Sequence, residues 1–497
     1  MDSSSPPSSI LIIGSGVFGL STAFELTQRP FFARTSITVL DRSPDNGVFP
    51  SSDASSIDSS RIIRPDYADP AYASLAAKAH EFWRQQGDDE LGGQGRYTES
   101  GMILLADTPT TAKADPKIGL SAKQVEEKKK SALEYVRESW DNVRALAGQK
   151  ASGLSPDKIR ELPNTASVVE AIGADPSTAA ANPPGDWGYL NETSGWADAE
   201  KSMAWFLKKV RQTGRVTFVH GTAAALTCTG DRVTGARLDS GRQLVADLVI
   251  VATGAWTGAL IDLAGQAIAT GQTLAYMDIT AEEQAAISQR PVILNLSTGL
   301  FVIPPAGRQL KVARHSYGYI NPQPTSPDVL PTAPGAPLPA TSTSLPRTLL
   351  TDPNLRIPSE GEADLRKAIR AMVPLKELHD RPFVKTRLCW YTDTSTGDFL
   401  IDYHPGWKGL FVATAGSGHG FKFLPVIGQM IVDCLEGRRP AQFDEKWKWK
   451  GISAKENVKQ LHKHIVTEDG SRGGRPGLIL EEELAKDHRD NSIRARM

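Results

Sequence analysis

Residues 10–19, ILIIGSGVFG, decide the fold. Four consecutive apolar residues, Ile10 to Ile13, read as a buried strand. The glycines that follow, Gly14, Gly16 and Gly19, fall on the G-x-G-x-x-G spacing and open the helix-compatible run VFGLSTAFELTQ. Gly14 permits a tight turn, Gly16 lets a pyrophosphate approach backbone that carries no Cβ, and Gly19 lets the helix pack closely on the strand. The N-terminus of that helix presents free N–H groups and partial positive charge to the phosphates. A second strand, residues 36–40 (SITVL), ends in Asp41, about 20 residues past the last glycine, where a carboxylate accepts from a ribose hydroxyl. Strand, glycine turn, helix, strand and acid in that order predict a dinucleotide-binding unit. A glycine-rich turn in some other α/β protein would leave Asp41 without a role.

Outward from this unit, 497 residues suffice for two domains with sizeable cores. The near balance of 56 basic and 57 acidic residues points away from nucleic-acid and membrane-surface partners. Three cysteines, Cys228, Cys389 and Cys434, are sparse and show no metal-ligand spacing, so a reducing compartment is expected and neither a metal site nor a disulfide framework. The opening MDSSSPPSS has no basic residue ahead of its short apolar run, and no run approaches the ~18 apolar residues of a membrane span, so the chain reads as soluble and not secreted.

A serine-rich segment after Asp41 leads into RIIRPDY, where a helix would place Arg61 and Arg64 on one face, aimed at a cofactor or substrate. A helix is expected over 71–86 and a strand over 97–105. KQVEEKKKSALEYVRESWDNVRALA reads as an amphipathic helix of a peripheral insertion within 106–180, with no chemistry of its own. Residues 195–208 read as a further helix, and 216–220, 232–238 and 244–251 as strands, the last closing in Ala252-Thr253-Gly254 where backbone can approach a cofactor. Strands over 291–296, 299–303 and 310–314 suggest a sheet that covers the substrate. The Pro/Ser/Thr-rich stretch 322–346 is expected to form no regular pairing, and the charged tail beyond Pro440 to be peripheral.

Residues 387–405, RLCWYTDTSTGDFLIDYHP, and 416–428, GSGHGFKFLPVIG, together with the N-terminal unit, resemble the flavin-dependent amine oxidases that include monomeric sarcosine oxidase, pipecolate oxidase and the fungal fructosyl amino acid oxidases, or amadoriases. The resemblance runs from about residue 8 to 440 and is poorest over 106–180 and 322–346. It implies FAD, joined through a thioether from Cys389 to the isoalloxazine 8α-methyl. It implies also that the turn from Gly416 to Gly420, leading into a helix near Phe421, offers amides to the anion of the reduced ring, and that Lys311 in LKVARH activates oxygen. Arg64 and Lys422 match the residues that pair with the substrate carboxylate, and Arg61 and His315 match neighbours of the reacting carbon. Further cofactor contacts implied are Val17, Phe18, Arg42, Ser60, Val219, Thr253, Gly254, Trp256, Gly418 and His419. Amadoriases usually carry lysine at the position of Arg61 and a small residue at that of Tyr391, so both departures lean toward sarcosine and pipecolate oxidases, whereas 276–291 with the strands that follow and the proline-rich insertion read more like the amadoriases.

The expectation is therefore an α/β flavoprotein in which a Rossmann-type FAD-binding domain (8–100, 195–262 and 385–440) interleaves with a substrate domain on a mixed sheet with helices (101–194 and 263–384), followed by a charged tail (441–497). It oxidises the C–N bond of a secondary amine or N-substituted amino acid to an imine, with oxygen as acceptor and hydrogen peroxide as product. A biosynthetic oxidase whose imine closes a ring is the alternative of the same chemistry. An NAD-dependent dehydrogenase leaves Cys389, Lys311 and GSGHGFK idle, and a non-catalytic nucleotide-binding scaffold makes the clustered cations incidental. The terminal Ala495-Arg496-Met497 follows the small-basic-apolar pattern of a peroxisomal address, which makes an import receptor a partner; without it the enzyme is cytoplasmic.

Overall fold

The computed structural model describes residues 5–42, 49–108, 130–149, 152–263, 265–325, 342–450 and 466–494. Ser9–Ile13 lies inside a six-stranded sheet because its apolar residues are buried on both faces, between parallel neighbours Ser36–Asp41 and Leu248–Val251. Val216–His220 extends the sheet beyond Ser36–Asp41, and Leu410–Thr414 with antiparallel Leu400–Tyr403 extends it on the other side. Distant parts of the chain therefore share one sheet. The helix Val17–Gln28 packs on the helix Ile427–Leu435 at Gly428, where an added Cβ would lie 2.0 Å from the carbonyl oxygen of Ser21.

Facing this sheet is a mixed sheet of ten strands. Its spine, Ile268–Asp278, pairs antiparallel with Gln309–Arg314 and with Lys385–Asp393. Strand alternation divides its residues. Met277, Val312, Leu388 and Trp390 face the helix Ser359–Met372 in one core, whereas Leu274, Tyr276, Ala313 and Cys389 belong to the core shared with the first sheet. The α/β class and the mixed sheet with helices are thus as expected.

Several local expectations are corrected. Arg61–Ile63 is a strand, paired with Gly195–Ala197, which takes the first residues of the helix expected from 195; that helix runs Ala199–Gln212, capped by Asp198 on the N–H of Lys201 at 3.0 Å. The strand expected over 244–251 divides, Gln243–Val245 closing a three-stranded sheet and Leu248–Val251 entering the six-stranded one. Ala132–Ala147 is the amphipathic helix, with a Ser131/Glu134 capping box, but it is not peripheral: Tyr135, Val136 and Val143 lie in the main core. Its charged residues describe only its outer face. Pro322–Pro324 does pair, antiparallel with Ser342–Ser344, since alternation leaves Gln323 as the ladder donor between two prolines that have none. The turn after Gly420 is a single 3-10 turn, Phe421–Phe423, and the regular helix waits until Ile427 because Pro425 has no N–H to continue the ladder.

The tail is not peripheral either: Phe443, Trp447 and Leu480 are fully buried, and residues 467–474 run past the C-terminal ends of Gln309–Arg314 and Lys385–Asp393, with Gly473 paired to Ser316. Among the described residues no helix is long and apolar enough to cross a membrane. Ala495-Arg496-Met497 and the middle of the proline-rich stretch, 326–341, lie outside the described residues.

Candidate active site

A cavity of about 330 Å³ lies between the two sheets. At one end is the glycine turn. Gly14 has φ +103° and a Cβ there would meet the Ala252 carbonyl oxygen at 2.5 Å, while a Cβ on Gly19 would lie 1.8 Å from the Gly14 carbonyl oxygen. At Gly16 the nearest atom is the Ser56 hydroxyl at 3.8 Å, so the cradle is open where a phosphate would sit. Gly14, Gly16, Val17 and Phe18 line the cavity, and Gly16 heads the first helix without a side-chain cap.

Asp41 accepts from the Ser15 amide and, at 2.7 Å, from its hydroxyl, yet burial outweighs these bonds and raises its carboxyl to about 6. Arg42 pairs with Asp53 at 2.5 Å and lies 4.8 Å from the Trp256 ring. Thr253, Gly254 and Trp256 also line the cavity.

At the other end, alternation along Lys385–Asp393 sends Cys389 and Tyr391 to the cavity and Trp390 to the opposite core. Cys389 is buried, with Nη2 of Arg61 3.6 Å from its Sγ. Lys311, opposite Tyr276 on the same face of the sheet, donates to Oδ2 of Asp58 at 2.7 Å and to the Ser60 carbonyl at 2.8 Å. Burial lowers its pKa to about 8 although Asp58 opposes the fall. Asp58 also takes contacts from Arg61 and, at 2.6 Å, from the Tyr276 hydroxyl. Burial by itself would raise its carboxyl, but Lys311, Arg61 and Arg387 overcome that and hold it well below the usual range.

Arg64 and Lys422 meet around Tyr67. The Arg64 guanidinium lies 5.0 Å and the Lys422 ammonium 5.1 Å from its ring, and Lys422 Nζ donates to its hydroxyl at 2.8 Å and to the His419 carbonyl at 2.9 Å. Among the described residues neither cation has an acid within ion-pair distance. Asp66 is turned to Asn191 and Ser194, and burial with Arg64 drives the Lys422 pKa well down. His419 is held neutral, chiefly by burial; its Nε2 lies 2.8 Å from the Gly397 carbonyl, which only accepts, so Nδ1 takes the Tyr67 hydroxyl proton at 3.0 Å. A second, polar cavity of about 420 Å³ adjoins, sharing Arg64, His315 and His419 with the first and bounded by Tyr67, Tyr135 and Arg472.

Ser60, Arg61, His315, Gly416, Gly418, Gly420 and Phe421 also line the first cavity. Gly19 and Val219 do not: Gly19 acts in packing, and Val219 lies in a core beneath Gly221, Thr222 and Ala223, which line the wall instead. Arg61 and Arg64 are both brought in without the shared helix face. Sequence reasoning missed Asp58, Tyr67, Tyr276 and Arg472. Asp58 has a legible signal, an acid three residues before Arg61; Arg472 has none.

A dinucleotide with a flavin fits these residues. The buried hydroxyls of Ser56 and Ser60 face the cavity with no partner, Gly16 and Gly416 leave open backbone, and Ala415, Ser417 and Gly418 all have positive φ, a strained turn where a ligand is cradled. The chain belongs to the FAD dependent oxidoreductase family (DAO), whose model matches residues 9–434. It is 33% identical to the amino acid oxidase imqH of Aspergillus flavus, over 86% of this chain and 93% of that one. It is 30% identical to the amino acid oxidase fsqB of Aspergillus fumigatus, over 85% and 91%. In structure it is similar to fructosyl amine:oxygen oxidoreductase (Amadoriase I) of Aspergillus fumigatus, with TM-score 0.70, 25% identity, and 96% and 95% of the two chains covered. The chain is an FAD-dependent oxidase of the amine and amino acid oxidase class, as its motifs implied.

Proposed function

We propose that the substrate is a secondary amino acid, N-alkyl or cyclic, held by its carboxylate between Arg64 and Lys422. The observation that carries this reading is the pair of buried cations around Tyr67 with no acid paired to either among the described residues. Burial and Arg64 make it costly for Lys422 to carry its charge without a counter-ion, and an anionic ligand between the two side chains removes that cost. The surrounding Arg61, Arg64, Lys311 and Lys422 also disfavour a further positive charge, so they keep the substrate amine in the neutral form whose lone pair can assist oxidation. Bound FAD would supply the acceptor for a hydride equivalent from the substrate α-carbon and the route for its two electrons to oxygen, so that the products would be an imine and hydrogen peroxide. Lys311, anchored by Asp58, stabilises the negative charge that oxygen acquires. Peroxide release from a panel of N-methyl amino acids, pipecolate, saccharopine and fructosyl amino acids tests the assignment. Turnover confined to amines without a carboxylate overturns it.

The domain reading goes with this function: an FAD domain from 8–100, 195–262 and 385–440, and a substrate domain from the segments between. We assign Cys389 as the covalent flavin attachment. Its burial on the cavity wall, with Nη2 of Arg61 3.6 Å from its Sγ, supports the assignment. Acid-denatured protein is expected to keep its yellow colour in the pellet and Cys389→Ala to release FAD or fail to load it; colour wholly in the supernatant of the unmutated protein removes the assignment. Ala495-Arg496-Met497 is proposed to direct the enzyme to peroxisomes, where its peroxide would meet catalase. A fluorescent fusion with Met497 left free checks this, and a diffuse signal counts against it.

A further inference from the structure

The segment 467–474 lies beyond the stretch that matches the family, yet it is fastened into the substrate side of the site. Thr467 Oγ1 donates to the Thr394 carbonyl at 3.0 Å, the Glu468 amide to the Ser395 carbonyl at 2.8 Å, and the Tyr317 amide to the Gly473 carbonyl at 3.2 Å. At Gly473 an added Cβ would stand 2.0 Å from the Gly299 amide nitrogen, so the strand lies as close as glycine allows. Between these fastenings Arg472, 4% exposed, enters the partition between the two cavities.

Its Nη2 donates to Oδ1 of Asp393 at 2.8 Å and to the Ser417 carbonyl at 2.7 Å. Its Nη1 meets Nε2 of His315, with Nδ1 farther away at 3.4 Å, and its guanidinium carbon lies 5.6 Å from the Tyr391 ring. A guanidinium only donates. The nitrogen it faces must therefore offer a lone pair, and the single proton of a neutral imidazole falls to Nδ1, which is 3.4 Å from the Tyr391 hydroxyl.

We propose that Arg472 is a positioning residue for the oxidation: it holds His315 in the Nδ1–H form, as a donor toward Tyr391 and the reacting centre. The proposal rests on the assignment of His315 to the substrate site. Among the described residues, burial and the basic groups that face His315 work in the same direction. Burial comes first, then Arg472 from the C-terminal segment, Arg64 from the loop after Arg61–Ile63, and His419 and Lys422 from the glycine turn, and together they keep His315 neutral. Arg472 differs from the others in touching the ring, so it chooses the tautomer as well as opposing the charge. Asp393 explains how the guanidinium is held: it pairs with Arg472 and accepts from Thr270 Oγ1, and so fixes the guanidinium from behind.

The test compares the holoenzyme with its Arg472→Lys and Arg472→Gln variants. In the parent and in Arg472→Lys, whose ammonium also only donates, kcat/KM is expected to have no limb from His315 between pH 5 and 8. Arg472→Gln removes one of the charges that oppose protonation while burial, Arg64 and Lys422 remain, so the pH at which His315 protonates is expected to rise but to stay below the ordinary imidazole value of about 6.5, with an acidic limb in kcat/KM of about tenfold per pH unit beneath it. A second readout needs no turnover: in ¹⁵N-histidine-labelled protein, the signal lost in His315→Asn reports a neutral Nδ1–H ring in the parent, and in Arg472→Gln a ring that no longer holds the Nδ1–H form alone, because an amide accepts as well as donates, and that takes up a proton at higher pH than in the parent. If amino acids prove not to be substrates, this spectroscopic arm still decides the role of Arg472. Where Arg472→Gln does not accumulate as folded protein, Asp393→Asn loosens the same guanidinium and is expected to introduce the same titration. A His315 signal and pH profile unchanged in the variants, accompanied only by a lower Tm, overturns the proposal and leaves Arg472 a structural anchor.

Discussion

Lys311 and Lys422 are both buried cations on the cavity wall, 3% and 5% exposed, and they are treated in opposite ways. Lys311 has a built-in counter-charge in Asp58, which burial alone would neutralise but which Lys311, Arg61 and Arg387 keep ionised. Lys422 has only neutral acceptors, the Tyr67 hydroxyl and the His419 carbonyl, and a second cation, Arg64, beside it. A lysine supplied with its own carboxylate carries charge in the empty site and can serve a reaction partner that arrives neutral, as oxygen does. A lysine without one gains from charge only when the ligand brings the anion. The same side chain thus reads as electrostatic catalyst in one place and as carboxylate receptor in the other, and the neighbours make the difference.

The largest effect is expected at the first of them. Lys311→Met removes the charge and keeps the length, so reoxidation by oxygen is expected to slow by about two to three orders of magnitude, the scale of losing one pre-organised donor to a developing negative charge. Anaerobic flavin reduction, followed by stopped flow, is expected to change much less. Equal losses in both half-reactions would erase the contrast and make Lys311 a second substrate ligand.

At the other lysine the effect is smaller and depends on the substrate. A charge-assisted hydrogen bond is worth about 1.5–3 kcal/mol, which at about 1.4 kcal/mol per decade weakens carboxylate binding by roughly ten- to a hundred-fold in Lys422→Ala. A methyl ester of the same amino acid is expected to bind poorly to the parent and to lose little more on mutation. If ester and acid suffer alike, Lys422 holds the fold around Tyr67 and not the carboxylate.

How much of this could be read from the chain follows from the range of each interaction. The glycine turn was legible because strand, turn and acid are local, and the structure returns Gly14, Gly16 and Asp41 to one wall. Cys389 and Tyr391 were found through the resemblance of their stretch to the family, and strand alternation along Lys385–Asp393 explains why they share a face. Arg61 and Arg64 were found for a reason that did not hold, since the segment is a strand whose partner, Gly195–Ala197, is far away in sequence. Tyr67 and Tyr276 carry no local signal, because their hydroxyl partners Lys422 and Asp58 are supplied by other elements. Arg472 was illegible in principle: one basic residue in a charged tail has no pattern, and only the seating of Gly473 against Gly299 carries it to His315.

The smallest expected effect concerns pH and sharpens the contrast furthest. Lys311 titrates at about 8 in the folded enzyme against an ordinary value of 10.5, so its charge is present below about 8 and is lost above it. The oxygen half-reaction is expected to fall as pH rises through 8, by no more than the charge is worth, while the reductive half-reaction does not follow it. Stability responds with the opposite sign. Between about 8 and 10.5 the unfolded chain holds a proton that the folded one has released, so this group's contribution to unfolding free energy rises with pH across that window, and its cost is fully present below 8. Asp58→Asn should convert Lys311 toward the condition of Lys422, because Asp58 is what opposes its desolvation. The oxidative limb is then expected to move to lower pH, with Tyr276 still able to bond the amide in place of the carboxylate. Rates of reoxidation measured from pH 6 to 9.5 in parent and variant decide it: a limb that stays at the same pH in Asp58→Asn would show that Lys311 does not owe its charge to Asp58, and the two lysines would then differ by position alone.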